Sequence, residues 1–168
     1  PREHKLMDAA LVVNTILGGG MSSRLFQKVR EEMGLAYTVY SYISSYTEGG
    51  ILSVYAGVSP SNVSKAQHAI FDAIDDFCKN KFTKEEFLRG KEQLKSSIIL
   101  AQESTASQMI AYGKYMLYND AVLDLEARVK GIDEMTMEDC EQALALNFDP
   151  EKLAAAAVGK IKAPLRIR

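Results

Sequence analysis

Residues 18–41, "GGGMSSRLFQKVREEMGLAYTVYS", decide how the chain is read. Three glycines stand between an apolar-periodic stretch and a serine pair, and Gly34 separates a charged run from a tyrosine-rich one. Upstream, Leu6, Ala9, Ala10, Val13 and Leu17 recur at three- and four-residue steps, which predicts a helix ending at Gly18 to Gly20. After the glycines, Ser22 or Ser23 can cap a second helix. Its apolar stripe is Met21, Leu25, Val29 and Met33, widened by Phe26, and Gly34 stops it.

Two strands follow. "AYTVYSYISSY" (36–46) is rich in tyrosine and β-branched residues, and "ILSVYAGVS" (51–59) comes after the turn-forming "TEGG". In the second run Leu52, Val54, Ala56 and Val58 alternate with Ser53, Tyr55, Gly57 and Ser59, so the pair reads as an antiparallel hairpin. Helices then occupy most of the chain. One has Val63, Ala66, Ile70, Ile74, Phe77 and Cys78 on its apolar side, and the next opens with a capping box, Thr83 and Glu86. Thr136 and Asp139 form a weaker box, and "EKLAAAAVGKI" (151–161) is expected to close the fold as a strand. The basic end of the chain, Lys160, Lys162, Arg166 and Arg168, reads as a solvated terminus. Strands adjacent in sequence and segregated from the helices imply an α+β layer, a mostly antiparallel sheet with helices packed on one face.

Bulk properties narrow the chemistry. The 168 residues suffice for one domain with a real core, and a net charge of -2 with interleaved signs offers no basic surface for nucleic acid. No apolar run approaches the roughly 18 residues that span a bilayer, so no membrane association is expected. Cys78 and Cys140 lack CxxC spacing and suit a reducing, cytoplasmic setting.

Several sites fail on spacing. The glycine triplet is followed by Met21-Ser22-Ser23-Arg24 and lacks the lysine of a phosphate-binding loop. Gly20 to Arg24 misses the last glycine of a serine-hydrolase elbow. His4 and His68 are too far apart for a helical metal pair, and His68 reads as a surface partner of Asp72. The acidic pairs Glu31-Glu32, Asp75-Asp76 and Glu85-Glu86 read as solvated faces. Arg30 and Tyr37 remain. Arg30 has no acidic residue three or four positions away, and Tyr37 heads the strand just past Gly34. Both can point into one cleft, the arginine forking to a carbonyl or carboxylate and the tyrosine donating to a developing oxyanion. An unpaired surface arginine and an ordinary sheet tyrosine would have the same spacing.

The stretch "LGGGMSSRLFQKVREEMGLAYTVYS" resembles the second half of peptidases of the insulinase/pitrilysin family, zinc peptidases with an inverted HxxEH motif. "SSYTEGGILSVYAGVSPSNV", "FTKEEFLRGKEQLKSSIILAQESTASQM" and "DPEKLAAAAVGKI" extend the likeness over nearly the whole chain. The resemblance implies a processing-peptidase/LuxS-like metallohydrolase fold and makes residues 1–168 a single domain, the C-terminal, substrate-binding half of a larger enzyme. A first domain would carry HxxEH and a distal glutamate, binding zinc that activates water; this chain would bind no metal or cofactor of its own. Arg30 and Tyr37 match the pair that supports the transition state and grips the peptide. The implied partners are an HxxEH domain, in cis or as a separate subunit, and a peptide substrate. A catalytically inactive scaffold subunit of the same family is the alternative. The family's domain also begins with a strand before the first helix. Without it a sheet edge would be exposed, favouring pairing with a partner or a homodimer.

Overall fold

In the computed structural model, which describes residues 1–149, 152–161 and 165, helix α1 (Met7–Gly18) is the element on which the others pack. Val12, Val13 and Leu17 are completely buried, and α1 meets the hairpin strand β1 (Ala36–Ser45) as well as helices α3 (Lys84–Leu100) and α6 (Met137–Asn147). The helix ends at the glycines as expected, but none of the three has a positive φ. Close approach explains two of them. A Cβ on Gly18 would collide with the backbone nitrogen and hydroxyl of Ser41 in β1, and one on Gly19 would lie 2.6 Å from Thr15 Cα. Ser41 completes the contact by donating its hydroxyl to the Asn14 carbonyl (3.3 Å).

The second helical segment departs from its expected form. Residues Phe26–Glu32 wind as a π-helix, with Leu25 and Val29 fully buried. Met21 and Met33, expected in the same stripe, are exposed. Met21 lies in the turn before the helix, and the wider π turns rotate Met33 out of the row that a 3.6-residue period gives it. The expected serine cap is also absent: Ser23 is buried and its hydroxyl has no hydrogen-bond partner.

Strands β1 and β2 (Gly50–Val58) form an antiparallel pair, the sheet seen among the described residues. Val39, Ser41 and Ile43 face inward with Leu52, Val54, Ala56 and Val58, so the helices cover one face, as the alternation required. The architecture is α+β. The closing strand expected at 151–161 does not form across Lys152–Ile161. That stretch is alanine-rich, with low strand propensity, and Val158 packs against nothing. Both edges of the hairpin are therefore unpaired among the described residues. Of the basic terminus, Lys160 is exposed, while Lys162, Arg166 and Arg168 lie outside the described residues.

Helix α2 (Val63–Asn80) buries Ala66, Ala69, Ala73 and Phe77, but Cys78, read as part of that face, is exposed. Phe77 packs near Phe82 (6.2 Å between centroids) and edge-on to Phe148 (6.3 Å). Burying a ring of this size contributes about 1.5–3 kcal/mol. Helices α4 (Thr105–Asn119) and α5 (Leu125–Glu134) follow α3; the C-terminal end of α5 is held by buried Lys91, whose ammonium donates to the Asp133 and Met135 carbonyls (2.9 Å each). Both capping boxes form, at Thr83–Glu86 and at Thr136–Asp139.

Glu86 and Asp76 are more than solvated acids. Arg24 forks onto Glu86 (Nε to Oε1 2.8 Å, Nη2 to Oε2 2.9 Å), reaches Asp76 at 3.2 Å and lies over the Phe77 ring. Glu86 Oε2 also accepts from the Thr83 backbone (2.8 Å). The Arg24 hydrogen bond holds the Glu86 carboxyl below its usual range. Its stabilisation is therefore complete above the unfolded pKa, about 4.3, and disappears as pH falls through the lower folded value.

Glu86→Gln is expected to cost about 1–3 kcal/mol at pH 7, with the gap from wild type closing on acidification, as denaturant melts at several pH values would register. Gly18→Ala is expected to cost about 1–3 kcal/mol by overpacking against Ser41. Gly20→Ala is expected to be nearly neutral, because its Cβ meets only the movable Gln93 amide at 3.2 Å. Equal melting temperatures for the two alanine variants would contradict the close approach.

Candidate functional site

The π-helical turn and the hairpin meet at Gly34, and their junction places Arg30. The Gly34 N–H returns to the Arg30 carbonyl (3.0 Å) and the Leu35 N–H to the Val29 carbonyl (2.9 Å). These bonds span four and six residues, each one longer than in a Schellman terminus, so the widening of the helix carries through its cap. Gly34 takes a φ of +59°, the left-handed conformation that suits glycine.

At this end the Arg30 guanidinium sits between two rings, 4.7 Å from the Phe26 centroid and 5.2 Å from that of Tyr37. Cation–π attraction at an exposed site of this kind contributes about 0.5–1 kcal/mol and orients the group. Its charged neighbour among the described residues is Glu31, 3.7 Å from Nε and beyond hydrogen-bond range. The two terminal nitrogens have no protein acceptor among the described residues, and the side chain is 38% exposed. The fork is open to a ligand.

Tyr37 owes its position to a β-bulge. Ala36 pairs with Val58 and Thr38 with Gly57, so β1 carries one residue more than β2 across this step. Strict alternation back from inward-facing Ser41 and Val39 would bury Tyr37. The extra residue breaks that phase, and Tyr37 is 82% exposed beside Arg30. Bulges recur next to active sites because they re-aim a side chain in this way.

Arg30 and Tyr37 line one open cleft of about 690 Å³ together with Tyr55, Gly57, Ser59 and Asn62. Gly57 adds no side chain to its floor, and the Tyr55 hydroxyl leans to 3.9 Å from where a Cβ there would be. The structure thus brings the two sequence-derived residues together. It adds what residue spacing did not reveal: the π turn, the bulge and the Tyr55 ring. The tyrosine steps of three and then two along 37, 40 and 42, where a regular strand would keep steps of two, were the available signal.

The remaining candidates do not join this site. His4 accepts from the Leu6 N–H through Nδ1 (3.2 Å) at the start of α1, and exposed His68 is hydrogen-bonded through Nδ1 to the Ser64 carbonyl (2.7 Å). Among the described residues no three His, Cys, Asp or Glu side chains come together to hold a metal ion, so these residues do not fit a zinc site. No helix among them is long and apolar enough to cross a membrane.

Comparison with known proteins gives a consistent picture. The family described as the peptidase M16 inactive domain matches residues 1–94. The uncharacterized zinc protease YmxG of Bacillus subtilis is 36% identical over 154 residues, covering 85% of this chain and 37% of that protein. The chain thus spans about a third of the length of the curated relatives it matches. The crystal structure of a peptidase M16 inactive domain from Pseudomonas fluorescens superimposes with a TM-score of 0.72 at 23% identity, over 88% of this chain and 35% of that one. A chain of complex III2 from Candida albicans does so at 0.70 and 17%, over 82% and 35%. At these identities the structural likeness establishes the fold alone.

Neither thiol lines the cleft. Burial pushes Cys140 up to about 12, and Cys78, though exposed, is raised by partial desolvation and then by the Asp75 charge. A thiol reagent at pH 8 is expected to label one equivalent, at Cys78, with Cys140 reacting only after unfolding. Two fast equivalents in the native chain would contradict the buried position of Cys140.

Proposed function

The chain belongs to the peptidase M16 (insulinase/pitrilysin) family, through its inactive domain, and on that premise we propose that it is the substrate-binding, zinc-free half of a zinc-dependent metalloendopeptidase. Residues 1–168 act as one domain, working with an HxxEH domain on the same chain or on a separate subunit. Any metal is the other domain's, and this chain contributes hydrogen bonds and shape.

One observation carries the reading: the open Arg30 fork held between Phe26 and Tyr37 at the rim of the cleft. Arg30 donates to a backbone carbonyl of the peptide and fixes its position. The bulge turns Tyr37 toward the same space, where its hydroxyl donates to the oxyanion that forms when the scissile carbonyl becomes tetrahedral. A donor that strengthens its bond as charge develops lowers the barrier, and deleting one typically costs about 10²–10³ in rate. The stacked rings hold the guanidinium in place beforehand, so less is lost in ordering it. Two free thiols suit a reducing compartment such as the cytoplasm.

The occurrence of this fold in a chain of complex III2 keeps a second reading in view, a catalytically inactive scaffold subunit. That reading assigns no task to the Arg30 fork.

In the complete enzyme, Arg30→Ala and Tyr37→Phe are each expected to lower kcat/KM for peptide hydrolysis by about 10²–10³, with zinc content and melting temperature unchanged. Metal analysis beside peptide kinetics separates the readings. Parallel loss of zinc and activity makes the pair structural, wild-type turnover in both variants removes the pair from the chemistry, and absence of peptide hydrolysis by the complete wild-type protein leaves the scaffold.

A further inference from the structure

The outward face of the hairpin is unusual for a sheet surface left to solvent. Neither Ala36–Ser45 nor Gly50–Val58 contains a charged residue, although exposed strand faces ordinarily carry charges that keep them soluble and apart. Tyrosines stand there instead. Tyr40 pairs across the strands with Tyr55, their centroids 5.2 Å apart, and lies 5.9 Å from Tyr42. All three rings are between two-fifths and one-half exposed. Ser44 and Ser53 occupy neighbouring outward positions. Tyrosine and serine together make an adaptable binding surface: rigid amphipathic rings give contact area at small entropic cost, and small hydroxyls adjust to polar groups.

This surface is continuous with the cleft, because Tyr55 belongs to both. We propose that the Tyr40–Tyr42–Tyr55 panel is a specificity subsite for an aromatic or long apolar side chain of an extended peptide substrate. The proposal rests on the reading of Arg30 and Tyr37 as peptide-gripping residues. The panel has no charge to pair with a substrate's carboxylates, and its tilted rings offer faces and edges to another ring. Tyr40 lies three positions beyond Tyr37, about 10 Å at about 3.3 Å per residue. An extended peptide covers that distance in about three residues, so the preferred side chain sits about three residues from the cleaved bond.

The test uses the complete enzyme on a mixed peptide library, with the cleavage products sequenced. The expected result is enrichment of Phe, Tyr or Leu at one position about three residues from the cut. In Tyr40→Thr/Tyr55→Thr, the ratio of kcat/KM for a Phe-bearing peptide to that for its Ala counterpart is expected to fall about tenfold. Cleavage without positional preference, or a preference that survives in the double variant, overturns the panel while leaving the Arg30–Tyr37 reading intact. A second measurement needs no catalysis. These 168 residues have eight tyrosines and no tryptophan, so in the complete protein, with tryptophans of the other domain replaced by phenylalanine, energy transfer to a peptide carrying one Trp reports binding directly. Saturable transfer to that peptide, suppressed by a Phe-bearing competitor and not by its Ala counterpart, supports the panel even where no peptide is cut, the result that would defeat the proposed function alone. No transfer overturns the panel, as does a dimer in sedimentation that the Tyr variants dissociate, which would make the face a contact between copies of the chain.

Discussion

The distance at which α1 lies from its neighbours sets the rest of the molecule. On one side Gly18 admits the backbone of Ser41; on another, Gly90 of α3 faces Val12 and Ile16, where an added Cβ would come within 3.1–3.2 Å of their side chains. Glycine at both places lets a strand and a helix close on the same apolar rod. Density of this kind is what makes interiors rigid. Because Ser41 is pinned, the inward phase of β1 is set from its middle, and any extra residue must be absorbed toward its ends. The bulge falls at the N-terminal end, between Ala36 and Thr38, and exposes Tyr37.

Arg30 is placed by a second set of constraints, from the other direction. The segment that carries it enters through Arg24, whose guanidinium joins the cap of α3 and the Phe77 ring. It leaves through Gly34 and a cap one residue wider than usual. Between those ends Leu25 and Val29 anchor the segment in the core. The two arginines thus differ in role through their surroundings. Arg24 has carboxylates on its fork and raises its own pKa by that pairing, whereas Arg30 has rings on both sides and open terminal nitrogens.

Much of this was legible in residue order. The glycine stops, the hairpin with its inward Leu52–Val58 row, and both capping boxes follow from local chemistry, and the structure contains them. Arg30 stood out because no acid lies a helical turn away, and Tyr37 because it heads a strand. Other elements were misread. A regular period was assumed where the chain widens its turns, so Met33 was placed in an apolar stripe that the π turns take it out of. Glu86 was seen as a cap and as a solvated acid, but its bond to Arg24 joins positions 62 residues apart. The alanine run at 154–157 shows the converse error, since alanine has low strand propensity and the run pairs with neither free edge of the hairpin among the described residues.

By itself, then, the sequence determined the α+β class, the order of elements, the family and the two residues singled out at the glycine boundary. Those properties reside in local propensity, in capping and turn chemistry, and in motif spacing, each readable within a few residues. Tertiary structure alone decided that Arg30 and Tyr37 share one cleft, that Arg24 is structural, and that the tyrosines of both strands make one continuous face. Each of these depends on register and on contacts between distant segments, which only the packing around α1 defines.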